Sequence, residues 1–395
     1  MNYYNNLINI ILIFFPSIGR KYTLLLAIIP LAIGWSLIIA AKSVYMLYAA
    51  RLFTGLGSGL AYSNVMPMYL GEIASDKIRG SIAVTLTIMA DLGVVFMYAV
   101  GPLVSISMMG WLGLLALSIF FATFVWMPES PYHLLSANKR DEAFKSLSKL
   151  RGHNFVQEEL QLMEISVSRA DKNNGSIFQI LLPDYRRRLY IILGLAAATQ
   201  LCGCEPVLLY SQMIFSQIEN GLVKSSEANM IFGITLFCTS MSTSFLIDRL
   251  GRKPLLIACG TILACTNAAI GVYFFLKHTN VDVSRYALVP TLALMIFVIG
   301  YNIGLASTTF VLLSEIFPKN MKAVCGATYT IFSGASSFAS SKLFQMAGDA
   351  WGYDVVFLFF AFCSCLFIVF VWILIPETKG KSLSDILDKF KTNNR

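Results

Sequence analysis

Three short charged motifs each occur twice in this chain, in the same order, and each is wedged between long apolar runs. Gly19-Arg20-Lys21 returns as Gly251-Arg252-Lys253, Glu72 with Arg79 returns as Glu315 with Lys322, and Pro128-Glu129-Ser130 returns as Pro376-Glu377-Thr378. The offsets of 232, 243 and 248 residues are close to constant. Whatever helical unit the first copy builds, the second copy therefore builds again.

The medium follows from the runs between the motifs. Of 395 residues, 56% are hydrophobic and 13% charged, and the mean hydropathy of +0.68 is that of a membrane protein. A helix needs roughly 20 apolar residues to cross ~30 Å of hydrocarbon. Ten stretches meet that length, near 22–41, 45–69, 81–101, 107–127, 189–213, 227–247, 254–276, 287–313, 323–346 and 355–375. Basic residues orient them, because Lys and Arg are retained on the cytoplasmic side. Of the 30, 24 fall in alternate connections, among them the 128–188 segment and the tail after Pro376. The duplicated motifs and the C-terminus are therefore read as cytoplasmic. The net charge of +8 needs no nucleic acid to explain it; it is the topology signal plus attraction to anionic lipid.

The expected organisation is an all-α polytopic membrane protein. Residues 1–127 form an N-terminal bundle, 128–188 cytoplasmic linker helices, 189–375 a six-helix bundle and 376–395 a cytoplasmic tail. Residues 7–15 are apolar, but nine residues cover only ~14 Å, about half a bilayer. The N-terminal bundle thus reads as truncated, its first helix missing and its second incomplete. Within 138–168, Ala143, Leu147, Leu150, Leu160, Met163 and Val167 fall at helical spacing. Gly55, Gly57 and Gly59 suit close helix approach, and Gly93 and Gly101 are read the same way. The eight cysteines lie inside predicted spans, the three histidines lie in loops, and Asn174-Gly175-Ser176 lies on the cytoplasmic side. No disulfide framework, metal site, cofactor loop or catalytic triad is expected, and no enzyme.

Together the motifs resemble the sugar porter family of the major facilitator superfamily, most closely its insect facilitated trehalose transporters. The resemblance is carried by Gly19-Arg20-Lys21, Arg51 with Gly55, Pro67 through Glu72 with Arg79-Gly80, Pro128-Glu129-Ser130-Pro131, Gln200-Leu201 with Gly203, Asp248 through Lys253, Ser314 through Pro318, and Pro376 through Gly380. It implies a major facilitator fold of two six-helix bundles in the plasma membrane, and facilitative transport of a sugar, trehalose or a hexose, by alternating access. It also implies a cytoplasmic gate of Arg20, Glu72, Arg79, Glu129, Asp248, Arg252, Glu315, Lys322 and Glu377, with Lys322 where the family has arginine. These groups can pair across the halves when the inner mouth is closed and separate when it opens.

The substrate region departs from the family. Where sugar porters carry a Gln-Gln pair and a Ser-Gly-Ile-Asn run, this chain reads Thr199-Gln200-Leu201-Cys202-Gly203-Cys204-Glu205. Where they carry Gly-Pro-x-Pro-Trp, it reads Ala306-Ser307-Thr308-Thr309-Phe310, without either proline, and Ser333-Gly334 matches an Asn-Trp pair. The expected substrate contacts are Gln200, Glu205, Tyr210, Asn302, Phe310 and Ser333. A carboxylate only accepts hydrogen bonds, so Glu205 suggests a protonated amide substitute, a coupling proton or a partner for a cationic group, beside the plainer reading of a Glu satisfied by Gln200 or by a backbone group next to Pro206. Asp91 and Lys342, also inside spans, are assigned structural partners. Two other readings remain open: a non-transporting relative, favoured by the replaced ligands, and a proton-coupled carrier using Glu205.

Overall fold

The computed structural model describes residues 19–61, 65–75, 78–153, 156–171, 183–218, 224–317, 321–377 and 379. Among these every regular element is helical. The apolar segment 7–15, Asn174-Gly175-Ser176 and the tail beyond residue 379 lie outside the described residues. The chain divides into two compact units, residues 1–86 with 103–175, and 87–102 with 176–395.

In the first unit, α1 (Arg20–Ile39) and α2 (Val44–Leu60) pack along their lengths. Glycine makes the approach possible. A Cβ on Gly57 would lie 2.9 Å from the Ala27 carbonyl, and one on Gly34 would lie 2.9 Å from the Ala50 carbonyl. α3 (Met66–Ile73) follows, then α4 (Arg79–Val100), which runs from the first unit into residues 87–102 of the second. α5 (Ile106–Phe124) leads into three short polar helices, α6 (Pro131–Ser136), α7 (Arg140–Arg151) and α8 (Gln157–Asp171). The helical spacing read in 138–168 is realised here: Ala143, Leu147, Leu160 and Met163 are buried against Leu134 and Leu135, and Val167 packs on them.

The second unit contains α9 (Pro183–Leu201), α10 (Cys204–Gln217), α11 (Ser225–Leu250), α12 (Arg252–His278), α13 (Leu288–Tyr301), α14 (Ser307–Ile316), α15 (Lys322–Trp351) and α16 (Tyr353–Leu374). α9 begins at Pro183, so the basic run Arg186-Arg187-Arg188 lies inside a helix and Arg188 is buried. Phe297, Phe344, Phe357 and Phe360 centre a continuous apolar core.

Among the described residues, seven helical segments are long and apolar enough to cross a membrane. The other three predicted spans are helices too, but fail that test for local reasons. α2 has 17 residues, and α11 and α15 are diluted by serine, threonine and glycine. One glycine reading is corrected. A Cβ on Gly93 would meet nothing within 4 Å, so it mediates no close packing. Gly101 opens a 3-10 turn (Gly101–Leu103) that follows α4.

These contacts set a contrast. Gly57→Leu should overpack the α1/α2 contact by about 1–3 kcal/mol and lower the thermal midpoint of the purified protein. Gly93→Ala, placed in open space, should leave the midpoint unchanged or raise it slightly. Equal destabilisation by both in a detergent melting assay would refute the packing assignment.

Candidate functional site

Two membrane helices of the second unit are discontinuous. α9 and α10 form the first, broken where Gly203 takes a left-handed conformation (φ +81°). Two features of the sequence enforce the break. A Cβ on Gly203 would fall 2.3 Å from the Phe360 ring, so only glycine fits. Pro206 has no N–H, so the carbonyl of Cys202, four residues earlier, loses its helical donor. Asn267 of α12 replaces it, with Nδ2 donating to that carbonyl at 3.1 Å. The carbonyl of Gln200 accepts from the Gly203 N–H at 3.0 Å and from Ser340 Oγ of α15 at 3.1 Å.

The second discontinuity needs no proline. Between α13 and α14 the chain makes a π-helical turn, Asn302–Ala306. Asn302 holds it to α11: its Nδ2 donates to the Leu236 carbonyl at 2.9 Å and to Ser240 Oγ at 2.7 Å. Ser307 Oγ donates back to the Asn302 carbonyl at 3.0 Å. This interruption, in a stretch without proline, is thus held by side-chain hydrogen bonds. Single π turns inside α-helices frequently mark functional sites.

Around these breaks the expected substrate residues separate into groups. Phe310 is 62% exposed, its ring edge-to-face with the buried Tyr329 at 5.7 Å, and Ser333 stands one turn on, within hydrogen-bonding reach of Tyr329. Glu205 sits in the first turn of α10, where the helix dipole favours an anion, and the phenols of Tyr98, Tyr301 and Tyr329 lie within its electrostatic reach. Gln200 is 3% exposed, and its Oε1 has no hydrogen-bond partner among the described residues. It borders a separate cavity of about 490 Å³ with Ser336, Ser340, Phe344, Trp351 and Phe360. Tyr210 stacks on Phe344 at 5.4 Å. Asn302 is 8% exposed with its donors committed to α11. Asn267, Ser340 and Ser240 escape sequence reasoning, since one polar residue in an apolar run carries no spacing signal.

The duplicated motifs build the same object twice, once in each unit. Gly19 (φ +99°) precedes α1 and Gly251 (φ +89°) precedes α12. Glu129 accepts from the backbone N–H of Arg20 at 3.0 Å and of Lys21 at 3.1 Å. Glu377 accepts from the N–H of Arg252 at 3.1 Å and of Lys253 at 3.0 Å. Each carboxylate thus caps a helix N-terminus, whose unpaired N–H groups attract anions. A Cβ at Gly19 would fall 2.5 Å from Glu129 Oε2, and one at Gly251 would fall 3.1 Å from Glu377 Oε2. The arginine then turns to the remaining carboxylate: Arg20 to Glu72 at 3.3 Å and Arg252 to Glu315 at 2.8 Å. Ser130 donates its hydroxyl to Glu72. These pairs are internal to a unit. The side chains of Arg79, Asp248 and Lys322 lie outside the described residues.

The family model for sugar (and other) transporters matches residues 10–390. A facilitated trehalose transporter, Tret1 of Bombyx mori, is 33% identical over 96% of this chain and 75% of its own length. The mouse solute carrier family 2 facilitated glucose transporter member 6 is 28% identical over 95% of this chain and 78% of its own length. Among solved structures, the inward-open xylose transporter XylE from E. coli superposes with a TM-score of 0.76 at 21% identity, covering 94% of this chain and 83% of that one.

His133 makes the first-unit network pH-dependent. Its Nδ1 lies 3.2 Å from Arg20 Nη1, and a guanidinium only donates, so Nδ1 is the acceptor. Burial, then the positive charge of Arg20, holds the imidazole below its ordinary value of 6.5. The unfolded chain therefore takes up this proton at higher pH than the folded one. The stability tied to neutral His133 is complete above the unfolded value and is lost as pH falls from there through the folded value. The thermal midpoint should fall more steeply from about pH 7 to about pH 5 in the natural protein than in His133→Gln. Identical slopes in the two would rule the assignment out.

Proposed function

The chain belongs to the sugar (and other) transporter family, and we propose that it is a facilitative carrier moving trehalose or a hexose across the plasma membrane by alternating access, its C-terminus cytoplasmic. The observation that carries the reading is the pair of discontinuous membrane helices, broken at Gly203 and at Asn302–Ala306. Secondary transporters form their sites from such breaks, near the interface of the repeats.

A sugar needs many hydroxyl partners and one apolar face. The exposed ring of Phe310, backed by Tyr329, supplies a face for the pyranose ring. Glu205 and Ser333 supply hydrogen-bonding groups beside it. Gln200 Oε1 and Thr308 Oγ1 are buried without partners among the described residues, so a sugar hydroxyl reaching either would satisfy an atom that is otherwise costly to bury. Tyr210 positions Phe344 rather than meeting substrate. Asn302, with its donors engaged, keeps the π turn in place. No covalent step is required of this machinery.

The gate residues act by holding helix ends. Arg20 with Glu72 and Arg252 with Glu315 are partly buried pairs, and removing one partner of such a pair leaves an uncompensated charge. Together with Arg79, Asp248, Lys322 and the capping carboxylates Glu129 and Glu377, they are assigned to closing the cytoplasmic mouth.

Liposomes carrying the purified chain test this. Radiolabelled trehalose and glucose, offered separately, should enter saturably and equilibrate. Phe310→Ala should raise KM about tenfold, the loss of an aromatic stacking face being worth ~1–1.5 kcal/mol, with little change in kcat. Arg252→Ala should instead lower kcat with KM nearly unchanged. Absence of saturable uptake of either sugar, from protein that is monodisperse and folded, would favour the non-transporting reading.

A further inference from the structure

The first unit holds a cavity of about 460 Å³ between the start of α1, α6 and α7. Its size is that of a small-ligand site. Three lysines line it, Lys139, Lys145 and Lys149, together with Tyr22, His133 and Glu142. Helical spacing puts them there: Glu142, Lys145 and Lys149 lie at i, i+3 and i+7 of α7. Beside that row runs the buried one of Ala143 and Leu147, which packs on Leu134 and Leu135. Burial of the apolar row fixes the roll of α7, and the roll turns the lysines toward Tyr22 of α1 and the end of α5.

The wall is cationic once its carboxylates are accounted for. Glu129 also lines the cavity, but it is committed to the backbone N–H groups of Arg20, Lys21 and Ser130. Glu142 pairs with Lys139 at 3.2 Å, and both side chains are more than half exposed, so this pair contributes little and yields to a stronger anion. An ammonium has three donors, and Lys149 spends one of them on the Trp126 carbonyl at 2.7 Å. Lys145 is exposed. Among the described residues neither Lys145 nor Lys149 has a carboxylate partner.

The cavity opens at the edge of the membrane. α1 and α5 are both long and apolar enough to cross a bilayer. Tyr22, in the first turn of α1, and Trp126, just beyond α5, are exposed, and such aromatic side chains mark the membrane–water boundary. A surface lysine ordinarily extends its head into water; Lys149 instead folds back onto the end of α5 and sets its ammonium at that boundary. Basic pockets beside membrane helices hold lipid headgroups. Charge narrows the choice, because a phosphodiester carries one negative charge, whereas a phosphomonoester carries about 1.5 to 2 and three acceptor oxygens.

We propose that this cavity binds the headgroup of a membrane lipid that ends in a phosphomonoester, with Lys139, Lys145 and Lys149 donating to its phosphate oxygens and its acyl chains lying along α1 and α5. The lipid comes from the leaflet on the side of the duplicated motifs. Glu129 and His133 share the cavity wall and both hold Arg20, so a bound headgroup fastens α6 and α7 to the start of α1 and stabilises the unit. The proposal stands apart from the transport reading.

The test titrates the purified full chain, in mixed micelles, with phosphatidic acid and with phosphatidylglycerol, reading bound lipid by native mass spectrometry and the thermal midpoint. Phosphatidic acid, the monoester, should bind about fivefold or more tighter than the diester and raise the midpoint. Lys145→Gln should weaken its binding about fivefold, and Lys145→Gln with Lys149→Gln about twentyfold. Lys145→Arg keeps the charge, and Arg140→Gln removes one from α7 outside the cavity; each should change binding by less than about twofold. If the double variant does not fold, Lys145→Gln alone decides. Equal binding of the two lipids, or equal weakening by Arg140→Gln and Lys145→Gln, would overturn the proposal and leave only diffuse attraction to anionic lipid. Glycerol phosphate, which has the same headgroup without chains, separates the sources. It should bind at least about tenfold more weakly than phosphatidic acid, and binding as tight as the lipid's would make the occupant a soluble phosphate and overturn the lipid assignment.

Discussion

A backbone carbonyl freed inside a hydrocarbon layer must find a donor on another helix, because no water is there to supply one. That requirement organises the second unit. Breaking the α9–α10 helix frees the Cys202 carbonyl, which Asn267 meets, and leaves the Gln200 carbonyl shared between the Gly203 N–H and Ser340 Oγ. Interrupting α13–α14 at Asn302 is held by three contacts to α11 and by Ser307. The first break therefore ties its helix to α12 and α15, and the second ties its helix to α11. The positions of α11, α12 and α15 follow from where their polar residues must reach.

The same accounting explains why the charged motifs recur. A helix N-terminus exposes N–H groups without partners, and in both units a glutamate from a distant segment fills that vacancy. The glycine is needed because a Cβ would occupy the carboxylate's place. The arginine is needed because a second glutamate lies beside the first. Read this way, Gly-Arg-Lys and Pro-Glu-Ser are the two halves of one interaction, written more than a hundred residues apart. Duplication preserved both halves together, since either one alone leaves a buried charge or an unfilled cap.

Much of this was legible in the sequence for a physical reason. Apolar runs, basic loops and helical spacing are properties summed over many residues, so they survive local exceptions; the buried face of α7 and α8 is a case. The linking residues were not legible. Asn267, Ser340 and Ser240 are single polar side chains in apolar helices, and nothing in spacing separates them from polar residues that satisfy only their own helix. The stretch near residue 307 has no proline to signal a break, yet the chain makes a π turn there. Gly93 looked like its counterparts in α2 and faces open space. A glycine's role depends on what stands opposite, which one strand of text does not contain.

The two breaks differ in a way that bears on motion. Pro206 has permanently deleted a donor, so no rearrangement of α10 can restore a continuous ladder through Cys202. Asn267 must stay, and the break at Gly203 is fixed in every state of the protein. The π turn has deleted nothing. All of Asn302 to Ala306 retain their N–H groups, and a shift of one hydrogen-bond register converts π to α. What opposes that shift is the set of side-chain bonds held by Asn302 and Ser307, each worth about 1 kcal/mol net, a barrier small enough for a bound ligand to overcome. The fixed break defines a place and the adjustable one defines a response. The stability of this second break therefore depends on the hydrogen bonds that α11 supplies.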